Sequence, residues 1–126
     1  MIAAAAPYDW IVHADADEWL TPPGAGGTLR EAIAGADAAG YTCVNFHEFA
    51  FVPRSGEDFA VEEYAASMDT YDFFEPFYPR LMRAWRRDSG LHYGDAGGHL
   101  LAGNPRVFPV DFVLRHYVML SEAQGA

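Results

Sequence analysis

Apolar and polar positions alternate in blocks along the chain, and each block implies an element. Residues 8 to 15 (YDWIVHAD) read as a short strand, with Trp10, Ile11 and Val12 as its apolar body. Residues 20 to 27 (LTPPGAGG) read as a loop, because two prolines and three glycines interrupt any regular element. Thr28 then opens a helix. Thr28-Leu29-Arg30-Glu31 has the pattern of a capping box, in which hydroxyl and carboxylate each satisfy a free amide of the first turn. Leu29, Ala32, Ile33 and Ala36 fall on one helical face, and Gly40 supplies the stop. Residues 41 to 52 (YTCVNFHEFAFV) form a long β-rich run ended by Pro53. Its apolar side chains occur on both faces, which predicts a strand covered on both sides, with Asn45, His47 and Glu48 as polar exceptions. Strand, loop, helix, strand in this order predicts a βαβ-like unit, a parallel pair and a layered α/β fold.

The second half is less regular. Residues 57 to 75 hold seven acids and no base, and read as a mobile or partly helical surface insertion. The sign then reverses, with Arg80, Arg83, Arg86 and Arg87 close together, and PRLMRAWR alternates well enough for a strand. Residues 88 to 105 are Gly-rich and carry His92, Asp95 and His99. RVFPVDFVLRHYVML reads as a further strand, with Pro109 marking an edge position or a bend.

Composition narrows the function. The 126 residues fit one domain, and 51% hydrophobic content is enough for a core. A net charge of −10 disfavours nucleic acid and anionic membrane as partners, since phosphate binding normally needs a basic surface. It suits a cation site. All eight basic residues are Arg, so a Schiff-base or Walker-type lysine is excluded within the chain, while Arg can still clamp a diphosphate. The single Cys43 lies in an apolar run and reads as a small core residue. No apolar stretch approaches the ~18 residues of a membrane span. MIAAAAP has no basic start, so a cytoplasmic location is expected.

The chemistry concentrates where the first apolar run ends. Asp15, Asp17 and Glu18 place three carboxylates in four positions. Ligands of open parallel α/β sheets sit beyond the carboxyl ends of the strands. Alternation points Asp15 and Asp17 to one side, where two carboxylates repel unless a cation lies between them. Mg²⁺ or Mn²⁺ suits hard oxygen ligands and is commonly shared with phosphates. The competing reading is that acids before a Pro/Gly loop form turns or caps. Three features favour the site: the preceding apolar strand, the third acid Glu18, and a distant histidine in LRHYVMLSEAQ that suits a ligand role.

Four segments taken in order, YDWIVHADADEWL, GYTCVNFHEFAFVP, PRLMRAWRR and GGHLLAGNPRVFPVDFVLRHYVMLSEAQ, resemble the glycosyltransferase family 2 type. The resemblance is to the subgroup with a D-x-D-E strand end and a later R-H-Y followed by S-x-x-Q, and it runs from about Pro7 to Gln124. It implies a nucleotide-sugar-dependent enzyme of the GT-A fold, an inverting transferase acting on a carbohydrate or other hydroxyl acceptor. It implies Asp17 as principal metal ligand, Asp15 at the ribose or a metal-bound water, and His116 completing metal or diphosphate binding. A nucleoside diphosphate leaves with developing charge, which Mn²⁺ or Mg²⁺ stabilises. The acceptor hydroxyl needs a general base, for which Asp95 and Glu48 are both candidates. Arg80 and Arg83 could touch phosphate, and His99 could line the acceptor side. Glu18 is expected to hold its loop by accepting backbone amides.

Only 14 residues precede Asp15, whereas a GT-A domain begins with a nucleotide-binding βαβ half. The expected fold is therefore a single incomplete α/β domain, a partial GT-A (Rossmann-like) sandwich with a mixed sheet that lacks this N-terminal half. The first strand would then have an open edge. The resemblance does not extend to activity of this chain alone. Two other classes compete. One is a non-catalytic remnant or interaction domain that self-associates through the open edge. The other is a phosphatase of the haloacid dehalogenase type, disfavoured by Trp19 where Thr or Val is wanted and by the missing lysine.

Overall fold

The computed structural model describes residues 9–24, 26–73, 77–94 and 99–125. Among these residues eight strands and two α-helices follow one another as β1 (Trp10–Val12), β2 (Glu18–Thr21), α1 (Leu29–Ala38), β3 (Cys43–Phe51), α2 (Tyr64–Ser67), β4 (Tyr71–Phe73), β5 (Met82–Arg86), β6 (His92–Tyr93), β7 (Leu101–Ala102) and β8 (Phe112–Tyr117). Six of the strands form a curled mixed sheet in the order β1-β5-β3-β8-β2, with β4 also paired to β3. The fold is mixed α/β, as the alternation of elements implies.

Helix α1 matches the sequence pattern at both ends. Thr28 Oγ1 accepts the Glu31 amide at 3.1 Å, and Glu31 accepts the Thr28 amide at 2.8 Å. At the other end Gly40 takes a φ of 87°, which lets the Tyr41 amide reach the Ala36 carbonyl at 3.1 Å and the Gly40 amide reach Asp37 at 2.9 Å. The helix lays Ile33 and Ala36 on Val44, Phe46, Leu81, Ala84, Phe112 and Leu114. The opposite side of β3 and β5 buries Cys43, Met82 and Trp85 with Leu91 and Leu101. Strand β3 is thus covered on both sides where it carries apolar residues on both.

Three expectations need correction. The first strand ends at Val12, so the D-x-D lies in the turn between β1 and β2 rather than on a strand. Leu20 and Thr21 belong to β2, which pairs antiparallel with β8, so the loop begins only at the prolines. The expected parallel neighbours β1 and β3 are each antiparallel to β5, which inserts between them; they share a direction without sharing hydrogen bonds. The parallel pair is instead β3 with β8. Of the two placements expected of Pro109 the structure shows the bend: it precedes β8, a central strand, where its missing amide is not needed. The acidic segment is partly helical, as expected, and also supplies β4 to the sheet.

One irregularity positions the site. Val44 pairs with Ala84 but Asn45 pairs with Met82, so Arg83 is the extra residue of a β-bulge. The bulge resets the alternation of this strand: Leu81 and Ala84 reach one core cluster, Met82 and Trp85 the other.

Candidate functional site

Strand register brings three distant segments together. Glu18 pairs with His116 across β2 and β8, and His116 pairs with Ala50 across β8 and β3. Asp17, one residue before β2, accepts the Tyr117 amide on its carbonyl at 2.9 Å, which clamps the turn onto β8. Its carboxylate then meets the imidazole: Asp17 Oδ2 lies 2.9 Å from His116 Nε2. On the other side of the ring, Nδ1 lies 2.9 Å from Glu48 Oε1. Glu48 Oε2 in turn accepts from Arg80 at 2.7 Å. Asp17, His116, Glu48 and Arg80 form one continuous relay.

The relay is electrostatically consistent. A carboxylate only accepts, so both ring nitrogens of His116 must donate, which requires the imidazolium. Burial opposes that charge, but the hydrogen bonds to Glu48 and Asp17 outweigh it and hold the His116 pKa above its ordinary value. Burial likewise opposes the Glu48 carboxylate, yet His116 and Arg80 outweigh it and hold its pKa below the ordinary value.

A second network lies beside it, inside the sheet. The bulged Arg83 donates to Glu18 at 2.9 Å, and the two side chains are only 3% and 4% exposed. Arg83 also stands 3.5 Å from Asp15 and 2.9 Å from His13 Nδ1. A guanidinium only donates, so Nδ1 of His13 is the accepting nitrogen and the ring proton sits on Nε2, facing Asp15 at 3.5 Å. Glu18 accepts the Asp15 amide at 3.1 Å, the loop-holding role expected of it. Tyr93 donates to the Met82 carbonyl at 2.9 Å, and burial pushes its hydroxyl up to about 12 despite Arg83 nearby.

The structure thus unites Asp17, His116, Glu48 and Arg80, and places Asp15 and Arg83 in the neighbouring network. His99 is exposed, and its carbonyl accepts the Met82 amide at 2.7 Å. Asp95 lies outside the described residues. Residues that sequence reasoning did not assign are His13, which follows the apolar run, and the pair Asn45 and Asp111. Asn45 is fully buried; its Oδ1 accepts the amides of Arg80 and Leu81 at 2.9 and 2.8 Å, and its Nδ2 donates to Asp111 at 3.0 Å. Asp111 also holds His47 at 2.8 Å. The signal was a polar residue in an apolar strand. Cys43 is buried, and burial pushes its thiol up to about 11, as befits an unreactive core residue.

A divalent ion at this point would be held by the Asp17 carboxylate and by His116 Nε2, the latter only after losing the proton that it gives to Asp17. Glu48 fixes the proton on Nδ1, which is how metal-binding imidazoles are usually oriented, and leaves Nε2 toward Asp17. Asp15, expected as a further ligand, is turned to Arg83 and His13. Among the described residues no three His, Cys, Asp or Glu side chains form a ready metal cage. Mg²⁺-type sites seldom need one, because waters and substrate phosphates complete the shell. No described helix is long and apolar enough to cross a membrane.

No family model, curated protein or solved structure matches the chain.

Proposed function

We propose that the chain carries the metal–diphosphate portion of a glycosyltransferase-like site of GT-A type, for metal-dependent transfer of a sugar from a nucleoside diphosphate donor to an acceptor hydroxyl with inversion. The observation that carries this reading is the meeting of Asp17 and His116, the two residues that the family resemblance pairs, at 2.9 Å. A bound Mn²⁺ or Mg²⁺ supplies Lewis-acid stabilisation of the departing diphosphate. Asp17 provides a hard oxygen, and His116 provides Nε2 once its proton is lost. Glu48 and Arg80 keep the ring oriented from behind.

Thermal unfolding against Mn²⁺ concentration tests the reading. A ligand that binds only the folded chain at one hundred times its dissociation constant adds about 2.7 kcal/mol. Wild type should gain stability, whereas Asp17→Ala and His116→Ala should not. A wild-type melting temperature unmoved by Mn²⁺ would sink the proposal and leave the carboxylates as turn formers.

A second reading, self-association through the sheet edge, is favoured by β1. Among the described residues this strand pairs on one side only, with β5, and leaves Val12 41% exposed. Beside it runs a groove of about 520 Å³ between Trp10, Val12, Leu29 and Ile33. Sedimentation decides: a dimer in wild type that Val12→Lys disperses supports this reading, and a wild-type monomer ends it.

A further inference from the structure

Reading the registers across β4, β3, β8 and β2 puts Asp72, Ala50, His116 and Glu18 in one row on one face of the sheet. Neighbours in such a row stand about 5 Å apart. Ala50 contributes only a methyl group between two ionisable side chains, and the space above it is open. The result is a cavity of about 190 Å³ lined by Glu48, Ala50, Asp72 and Arg80. Its inner wall is the rear of the relay: Glu48 and Arg80, 19% and 20% exposed, joined at 2.7 Å. Its outer wall is the exposed Asp72 on β4.

The lining selects by charge. Among the described residues of the lining, Glu48 and Asp72 outnumber the one guanidinium, which Glu48 already pairs, so a phosphate meets net repulsion. A hydroxyl suits the three polar side chains, since it donates to a carboxylate and accepts from a guanidinium, while the Ala50 methyl meets the apolar face of a ring. At about 30 Å³ per water molecule the cavity holds the space of about six waters, room for one sugar ring but not a chain of them.

We propose that this cavity is the acceptor subsite, taking a single neutral hydroxylated ring, with Asp72 and Arg80 binding its hydroxyls and Ala50 setting its size. The proposal rests on the glycosyltransferase reading for the word acceptor, but the binding it describes does not require the metal.

The test is amide NMR of the full chain with methyl glucoside, methyl galactoside and methyl mannoside, then orthophosphate, and separately with Mg²⁺. At least one glycoside should shift the Ala50 and Asp72 amides, and orthophosphate should leave them in place. Ala50→Leu, which fills the cavity, should weaken the glycoside at least tenfold while the Mg²⁺ response of Asp17 persists. Should Ala50→Leu fail to fold, Asp72→Asn at the exposed wall should weaken binding several-fold with an unchanged melting temperature. The subsite is overturned if none of the three glycosides shifts these amides, if orthophosphate does so instead, or if binding survives both substitutions undiminished. Glycoside binding without any Mg²⁺ response would retain the subsite and reject the metal site.

Discussion

His116 Nε2 meets Asp17 Oδ2 at 2.9 Å across a separation of 99 residues. Two features of the backbone enforce the meeting. The pairing of Glu18 with His116 sets the register of β2 on β8, and the Tyr117 amide bonds the Asp17 carbonyl one step beyond it. The side chains therefore meet at the end of a formed ladder, which makes the geometry a property of the fold rather than of two flexible groups.

The charge state of the ring gives a pH signature in the metal-free chain. His116 holds its proton more tightly folded than unfolded, so its contribution is complete below the ordinary value of 6.5 and is lost as pH rises through the higher folded value. Glu48 is shifted the other way: its contribution is complete above the ordinary value of 4.5 and is lost as pH falls through the lower folded value. The stability difference between wild type and His116→Asn should thus be greatest between pH 4.5 and 6.5 and shrink on either side. Urea denaturation of both chains across this range checks it, and a difference flat in pH contradicts it.

Arg83 and Glu18 make a different kind of pair, because both side chains are removed from water. Arg83→Met strands the Glu18 carboxylate and should cost about 3 to 5 kcal/mol, whereas Arg83→Met with Glu18→Leu should recover most of that loss. A double-mutant cycle by urea unfolding measures the coupling. Equal losses in the single and double variants would show that the bulge needs the guanidinium for packing and not for charge.

The cap of α1 offers a local control. Thr28→Ala removes the hydroxyl that accepts the Glu31 amide and should cost about 1 kcal/mol, while Thr28→Gly should cost only a few tenths. Neither should alter the response to Mn²⁺, because α1 supplies no residue to the relay. A changed Mn²⁺ response in either variant would mean that the helix and the site are coupled through the sheet.

What the sequence discloses follows from how local each determinant is. Helix α1 could be bounded from Thr28, Glu31 and Gly40 because caps are satisfied within a turn or so of chain. Strand β3 was legible from its apolar run, and Asp17 with His116 from a motif and a late histidine. The order of the strands was not, because the insertion of β5 between β1 and β3 depends on pairings made far apart in the chain. The bulge at Arg83 escaped for the same reason: an alternation that slips by one residue becomes visible only against its partner strand. Asp15 was misplaced because its orientation was inferred from strand alternation, and residues 13 to 17 are not strand.

Asn45 joins the core to the site and gives the last prediction. It is fully buried, lies where the β3–β5 register shifts, and satisfies the amides of both Arg80 and Leu81 with one oxygen. Asn45→Ala leaves those two amides and one Asp111 oxygen without their partner, and should cost about 3 kcal/mol, since each buried polar group left unsatisfied costs roughly 1 to 3. The effect should also reach the site. With its backbone released, Arg80 no longer approaches Glu48 from a fixed position, and the orientation of His116 loosens in turn. Asn45→Ala should therefore weaken Mn²⁺ binding beyond the loss seen in Phe46→Ala, a buried apolar truncation outside the relay that costs a similar about 3 to 5 kcal/mol. Comparing Mn²⁺ affinity by calorimetry in these two variants, both at a temperature where they are fully folded, separates positioning from general destabilisation. Equal Mn²⁺ affinity in the two would confine Asn45 to a structural role.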